Sequence, residues 1–383
     1  MYVYLNNAAT TKTDGRVIFK MSKYYSELYE NPMTSNYSPL AKNVEDEMEI
    51  ARENVSKLIN AKKEEIYFTS GGTESDNWAI KGVALSNWDK KGEIISIPIE
   101  HMAIIKTLET VKKWGFEIKF LPVDKYGMVN PDDLKKLITK KTLLVSIMHA
   151  NNEIGTIEPI EEIGKICKEN GILFHTDAVQ SACHIDIDVN KMNIDLLSIS
   201  AHKFYGPKGV GALFIRNGVK IEPFMDGGHQ ENELRSGTHN SPGIIGLGEA
   251  VKIAMNEMEE ERKSVIFMRK MIEDRINKIE GININGHPEK RLPNNLSITI
   301  DRVNAETMLT YLAINGIIVS AGAACSAKEK SPSHVLKAIG LSDELAHNTL
   351  RISLGKFNLV KEIEYFNEVF EYGVKRFREM APK

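Results

Sequence analysis

Lys203 follows an apolar run, Leu196–Ser200, in the segment Ser200-Ala-His-Lys-Phe-Tyr-Gly-Pro-Lys-Gly209. A lysine at a strand end forms a Schiff base with an aldehyde when its surroundings lower its pKa. Asp177 ends another apolar run, in His175-Thr-Asp-Ala-Val-Gln180. A carboxylate there can pair with a protonated pyridine nitrogen and keep the ring an electron sink. A third run leads into Thr69-Ser-Gly-Gly-Thr-Glu-Ser-Asp76. Its glycines let the backbone approach a ligand, and the N–H groups of the helix that follows favour an anion such as phosphate. Thr73 adds a hydroxyl donor. Taken singly, these are a capped strand-to-helix turn, a capping aspartate and a solvated lysine. Their combination in one α/β domain is specific where the parts are not.

The elements that must position these residues are visible as alternating apolar runs. Strands are expected at Glu65–Thr69, Ile94–Ile97, Glu117–Pro122, Thr142–His149, Ile172–Thr176, Leu196–Ser200 and Gly211–Ile215, with amphipathic stretches such as Glu161–Glu169 between them. This alternation implies a mostly parallel seven-stranded sheet covered by helices, with ligands at the carboxyl ends of the strands. A long charged helix, about Ser241–Ile279, leads into shorter strands and helices. The expected organisation is a large domain over 15–255 and a smaller α+β domain from 1–14 and 256–383.

Composition narrows the class. Lysine plus arginine (49) nearly balances aspartate plus glutamate (52), giving a net charge of -3. That argues against a dedicated nucleic-acid or membrane-surface binder. No apolar run approaches the roughly 20 residues of a membrane span, and the first residues do not read as a secretory signal. Three cysteines, Cys167, Cys183 and Cys325, at unrelated spacings suit a reducing compartment, so a cytoplasmic location is expected. The ten histidines are scattered without H-E-x-x-H or paired C-x-x-C, so no metal is expected. Gly-Pro-Lys-Gly-Val-Gly-Ala feeds an apolar strand and not a helix, which sets aside a dinucleotide fingerprint.

The motifs YLNNAATT, TSGGTESDN, IEHMA, HANNEIGT, HTDAVQS, SAHKFYGPKGVGAL, RSGTHN, SAGAACSA and LRISLGKFN occur in this order along nearly the whole chain. In this it resembles the class I (NifS/IscS-like) cysteine desulfurases, fold-type I pyridoxal 5′-phosphate (PLP) enzymes of the class-V aminotransferase family. The resemblance implies roles at matching positions. Lys203 is the cofactor-bearing lysine and Asp177 the partner of the pyridine nitrogen. His101 stacks on the ring and moves protons, and Asn152 and Gln180 touch the ring's surroundings. Gly72, Thr73, Ser200 and His202 hold the phosphate, joined by Thr238 from the other subunit of a homodimer. Arg351, with Asn152, receives the substrate, a role that suits the guanidinium's planar fork for a carboxylate. Cys325, in a stretch of small residues, takes sulfur from L-cysteine as a persulfide. The residues alone also allow a buried structural thiol there. The implied partner is a sulfur acceptor such as an iron–sulfur scaffold, with Cys325 open to ligating a cluster in that complex, or a tRNA-thiolation protein. Cys167 and Cys183 read as structural.

Some positions depart from the family's wording. Asn6 stands where Asp is usual, a change expected to alter a local hydrogen bond without touching the chemistry. Asn36 and Pro39 replace a histidine and a glycine of an entrance loop. Two rival readings follow. A related PLP enzyme, an aminotransferase or selenocysteine lyase, would share the cofactor site, and an aminotransferase would not need Cys325. A catalytically idle binding platform should have lost Lys203, Asp177 or Cys325, and all three are present.

Overall fold

The computed structural model describes residues 1–322 and 331–380. Its strands are β1 (Val3–Tyr4), β2 (Ile66–Thr69), β3 (Glu93–Ser96), β4 (Glu117–Phe120), β5 (Thr142–Ser146), β6 (Leu173–Asp177), β7 (Leu196–Ser200), β8 (Gly211–Ile215), β9 (Ile282–Asn285), β10 (Asn295–Ile300), β11 (Ile317–Ile318) and β12 (Thr349–Ser353). The helices are α1 (Gly15–Ser26), α2 (Pro39–Leu58), α3 (Gly72–Ser86), α4 (Met102–Lys113), α5 (Pro131–Leu137), α6 (Ile160–Glu169), α7 (Ser241–Ile276), α8 (Ala305–Ile314), α9 (His334–Ala338), α10 (Asp343–His347) and α11 (Val360–Met380).

Seven strands form one sheet in the order β2-β8-β7-β6-β5-β3-β4. The ladders from β7 through β6, β5 and β3 to β4 are parallel. β8 runs antiparallel to both of its neighbours. The strands read as unbroken apolar runs because helices cover both faces. One face packs on α2, α6 and the start of α7 through Val44, Val55, Ile163 and Leu247. The other packs on α3 and α4 through Trp78, Ile80, Ile104 and Leu108. The expected strand over 142–149 ends at Ser146, where Met148 N–H turns to the Glu100 carboxylate at 2.7 Å.

A second core lies around β10, β12 and α11, with Leu296, Ile298, Leu350, Phe366 and Phe370 buried together. Its three-stranded antiparallel sheet has the order β12-β10-β9, and β1 pairs with β11 beside it. Helix α7 connects the two cores. Its 36 residues span about 54 Å. Its first turns contribute Ile244, Leu247 and Val251 to the first core, and its last turns contribute Val265, Met268 and Ile272 to the second. Pro39, the departure noted above, is a helix-starting residue: it follows the Ser38 N-cap of α2, where a missing N–H costs nothing.

Candidate active site

The parallel ladder of β6 and β7 sets Asp177 opposite Ser198, so the ends of both strands open on one edge of the sheet. Asp177 is the last residue of β6 and accepts from Val179 N–H at 2.8 Å. Burial lifts its carboxyl to about 6, against the pull of that N–H and of Lys203. β7 continues into a turn, Ala201–Lys203, that carries the lysine to the same edge. Lys203 Nζ donates to the carbonyls of Ala8 at 2.6 Å and Ala9 at 2.9 Å. Behind Asp177, His175 is fully buried between Ser146 at 2.9 Å and Ser198 at 3.1 Å, and burial lowers it to about 3. It is therefore a neutral packing group.

The third wall is the N-terminus of α3. Gly71 takes φ of +146°, and a Cβ on Gly72 would meet Val179 Cγ2 at 2.6 Å, so side chains are excluded where the backbone must come close. Thr73 and Ser200 face the same space. His202 Nδ1 is 3.0 Å from Thr10 Oγ1, and its ring is lowered to about 4 by burial, with Lys203 and Lys208 adding to the effect.

The N-terminal segment closes the cavity across these strand ends. Ala8 O accepts from Gln180 Nε2 at 2.9 Å as well as from Lys203. His101 caps α4, with Nδ1 accepting from Ala103 N–H at 3.2 Å, which leaves the proton on Nε2. Burial, then Lys203 and His334, lower it to about 4. Arg351 reaches in from β12, buried at 2% exposure. It donates to Asn152 O and to Asn6 Oδ1, each at 3.0 Å. The Asn6 departure thus does alter a local hydrogen bond, but one made to the side chain expected to hold the substrate.

One cavity of about 220 Å³ is lined by Gly72, Thr73, His101, Asn152, Asp177, Gln180, Ser200, His202, Lys203 and Arg351, ten of the twelve expected residues. Thr238 lies outside it and is exposed in the single chain. Cys325 falls outside the described residues. Cys167 and Cys183 are buried, and burial pushes both thiols up. The cavity also holds residues that sequence reasoning missed: Ala8, Ala9, Asp76, Met148 and Val179. Of these, only Asp76 had a usable signal, lying four residues after Gly72 and therefore on the same face of the helix. Burial, and then the charge of Asp177, raise its carboxyl well above the usual range.

Residues 3–366 match the aminotransferase class-V family. A cysteine desulfurase IscS of Methanosarcina thermophila is 48% identical over 380 residues, covering 99% of this chain and 94% of that one. The chain belongs to the cysteine desulfurases. A second relative of this family, from Clostridium botulinum, is 49% identical over 383 residues, covering 99% of this chain and 96% of that one. Among solved structures, a NifS-like protein aligns with a TM-score of 0.92 at 40% identity, over 98% of this chain and all of that one. A structure described as SspA in complex with cysteine aligns at 0.84 and 35% identity, over 93% of this chain and all of that one. Cysteine desulfurases of this fold are PLP-dependent, and the cavity suits that cofactor by its donors. It offers a helix N-terminus with hydroxyls for a phosphate, a buried carboxyl at a strand end for a ring nitrogen, and an amine. Asp76 also lines this space, and its Oδ1, buried and without a hydrogen-bond partner among the described residues, lies 3.8 Å from His175 Nε2.

Proposed function

We propose that this cysteine desulfurase converts L-cysteine to L-alanine through Lys203 and Arg351, and keeps the sulfur as a persulfide on Cys325. The observation that supports this reading most is the meeting of Lys203, Asp177, His101 and Arg351 in one buried cavity. PLP, when bound, supplies the electron sink that labilises bonds at the substrate's α and β carbons. Gly72, Thr73, Ser200 and His202 hold its phosphate, with Thr238 of a homodimer's second subunit. Asp177 holds its ring nitrogen, and Asn152 and Gln180 its ring substituents.

The remaining chemistry belongs to the chain. Arg351 binds the substrate carboxylate, already oriented by Asn152 O and Asn6 Oδ1. Lys203 Nζ, aligned by two carbonyls, moves the proton at the substrate's α carbon. His101, neutral and carrying its proton on Nε2, serves proton transfer near the departing sulfur. The Cys325 thiolate attacks that sulfur: an S–S bond forms, the C–S bond breaks, and its electron pair stays with the carbon skeleton, which is protonated to alanine. L-cysteine plus one thiol yields L-alanine plus one persulfide, so no outside oxidant is needed. The persulfide then passes to an acceptor such as an iron–sulfur scaffold or a tRNA-thiolation protein. No helix among the described residues is long and apolar enough to cross a membrane, and we place this activity in the cytoplasm. Residues 15–255 act as the large domain, and 1–14 with 256–383 as the small one.

Protein loaded with PLP tests this reading. Wild type should absorb in the visible and release alanine from L-cysteine, and Lys203→Ala should lose about 10³-fold or more of that rate. A Lys203→Ala variant as fast as wild type would overturn it.

A further inference from the structure

The 323–330 segment that carries Cys325 has two described stems, and both meet the same buried carboxylate. Upstream, Ser320 exchanges backbone hydrogen bonds with Arg351, at 3.0 Å from Ser320 N–H and 2.6 Å from Arg351 N–H. Ser320 Oγ then donates to Gly322 O at 3.3 Å. Downstream, Ser333 Oγ donates to Glu153 Oε2 at 2.6 Å. Ser333 Oγ also caps α9, accepting from Val335 N–H at 3.2 Å and Leu336 N–H at 3.3 Å. Beside it, His334 Nε2 lies 2.9 Å from Glu100 O. A Cβ placed on Gly322 would sit 3.2 Å from the same Glu153 Oε2. One carboxylate oxygen therefore abuts the point where the described chain leaves and binds the point where it has returned.

Glu153 is itself rigidly held. It is 2% exposed, and its N–H donates to Asn151 Oδ1 at 2.8 Å. Asn151 is fully buried and donates to Ile99 O at 2.9 Å. The preceding residue, Asn152, offers its carbonyl to Arg351. Glu153 does not line the cavity. A buried carboxyl is costly unless it is hydrogen-bonded. That of Glu153 accepts from Ser333 on the downstream stem and lies against Gly322 on the upstream one, while the carbonyl of Asn152, one residue before it, accepts from Arg351. Only three peptide links separate Gly322 from Cys325, so the place of the stem bounds where the thiol can be delivered.

We propose that Glu153, acting through Ser333 and against Gly322, is a positioning residue for sulfur transfer, setting the stems of the Cys325 segment in one frame with Arg351. The proposal rests on the reading of Cys325 as the sulfur acceptor. Among the described residues, neither Glu153 nor Ser333 lines the cavity. Their loss should therefore slow formation of the S–S bond and leave capture of the substrate carboxylate intact.

The test uses holoenzyme with Ser333→Ala, Glu153→Gln and Ser333→Thr. Stopped-flow absorbance reports substrate capture. Rapid quench with alkylation and peptide mass reports persulfide on Cys325. Ser333→Ala and Glu153→Gln are expected to slow persulfide formation by about ten- to hundredfold, the cost of a small misplacement. The absorbance change, cofactor content and melting temperature should stay near wild type, and Ser333→Thr should recover the rate. Unchanged persulfide rates in both variants, or a parallel slowing of capture and transfer, would overturn the proposal. Persulfide that persists in Cys325→Ser would instead overturn the reading beneath it.

Discussion

Asp177 and Glu231 are both almost completely buried carboxyls, at 6% and 7% exposure, yet their environments push them in opposite directions. Burial lifts Asp177 to about 6, and among the described residues only Val179 N–H is hydrogen-bonded to it. Burial pushes Glu231 up as well, but Arg52 and His239 outweigh it and hold Glu231 down to about 2. Arg52 donates through Nη1 and Nη2 at 2.8 Å each, Phe68 N–H at 2.8 Å, and His239 Nε2 lies at 3.0 Å. Glu231 has its partners built in and spends them on structure. It locks a turn in which Glu231, Asn232 and Glu233 all take positive φ, of 46°, 56° and 67°, on the segment that leads to Thr238. Such backbone persists only when its surroundings over-determine it. Asp177 is under-supplied with positive charge in the same degree of burial, and in the proposed function a protonated ring nitrogen would supply what it lacks. The contrast separates a carboxylate that holds the fold from one that is poised for a ligand.

The largest effect should come from removing the poised carboxyl. Asp177→Asn is expected to lower alanine release by about 10²–10⁴-fold. The apoprotein should melt no lower than wild type, because an under-compensated buried charge has been removed. Glu231→Gln should do the reverse. It leaves Arg52 without its bidentate partner and costs about 3–5 kcal/mol in denaturant unfolding, while the folded fraction keeps most of its turnover.

The pH dependence of these two variants sharpens the contrast. The folded value of Glu231 is depressed below its ordinary 4.5, so its stabilisation is present above that value and lost as pH falls toward 2. The folded value of Asp177 is raised above 3.8, so the folded apoprotein binds the extra proton and its advantage is lost as pH rises through about 6. Unfolding free energies taken from pH 3 to pH 7 should show Asp177→Asn gaining on wild type by about 2–3 kcal/mol. Glu231→Gln should fall further behind wild type over the acid part of that range. Parallel curves for the two variants would contradict the comparison.

The smallest expected effect is at Arg351. Asn6→Asp would place a charged acceptor where Asn6 Oδ1 now sits at 3.0 Å from Nη2, in competition with the substrate carboxylate. KM for L-cysteine should rise about two- to fivefold with little change in kcat.

The sheet was legible because strands buried on both faces read as apolar runs, and Asp177 and Lys203 were legible because each ends such a run. Arg351 and Thr238 carried no local signal and came through resemblance. The lysine's hydrogen-bond acceptors were not legible, because the carbonyls of Ala8 and Ala9 act through backbone, which leaves no side-chain signature. The placement of Asn6 on Arg351 joins residues 345 apart in sequence, and only the docking of β12 beside the N-terminal segment reveals it. The turn at Glu231 was hidden because three consecutive left-handed residues without glycine contradict local preference and exist through Arg52, which is distant in sequence.

The central claim is that the cavity formed by Lys203, Asp177 and Arg351 releases sulfur to Cys325. The most direct measurement is a single turnover of PLP-loaded protein with L-cysteine, quenched and alkylated, followed by peptide mass analysis. The account predicts one added sulfur on the peptide carrying Cys325, formed together with alanine and absent from Cys325→Ser. Alanine released at the wild-type rate by Cys325→Ser, with sulfur on another residue or on none, would contradict it.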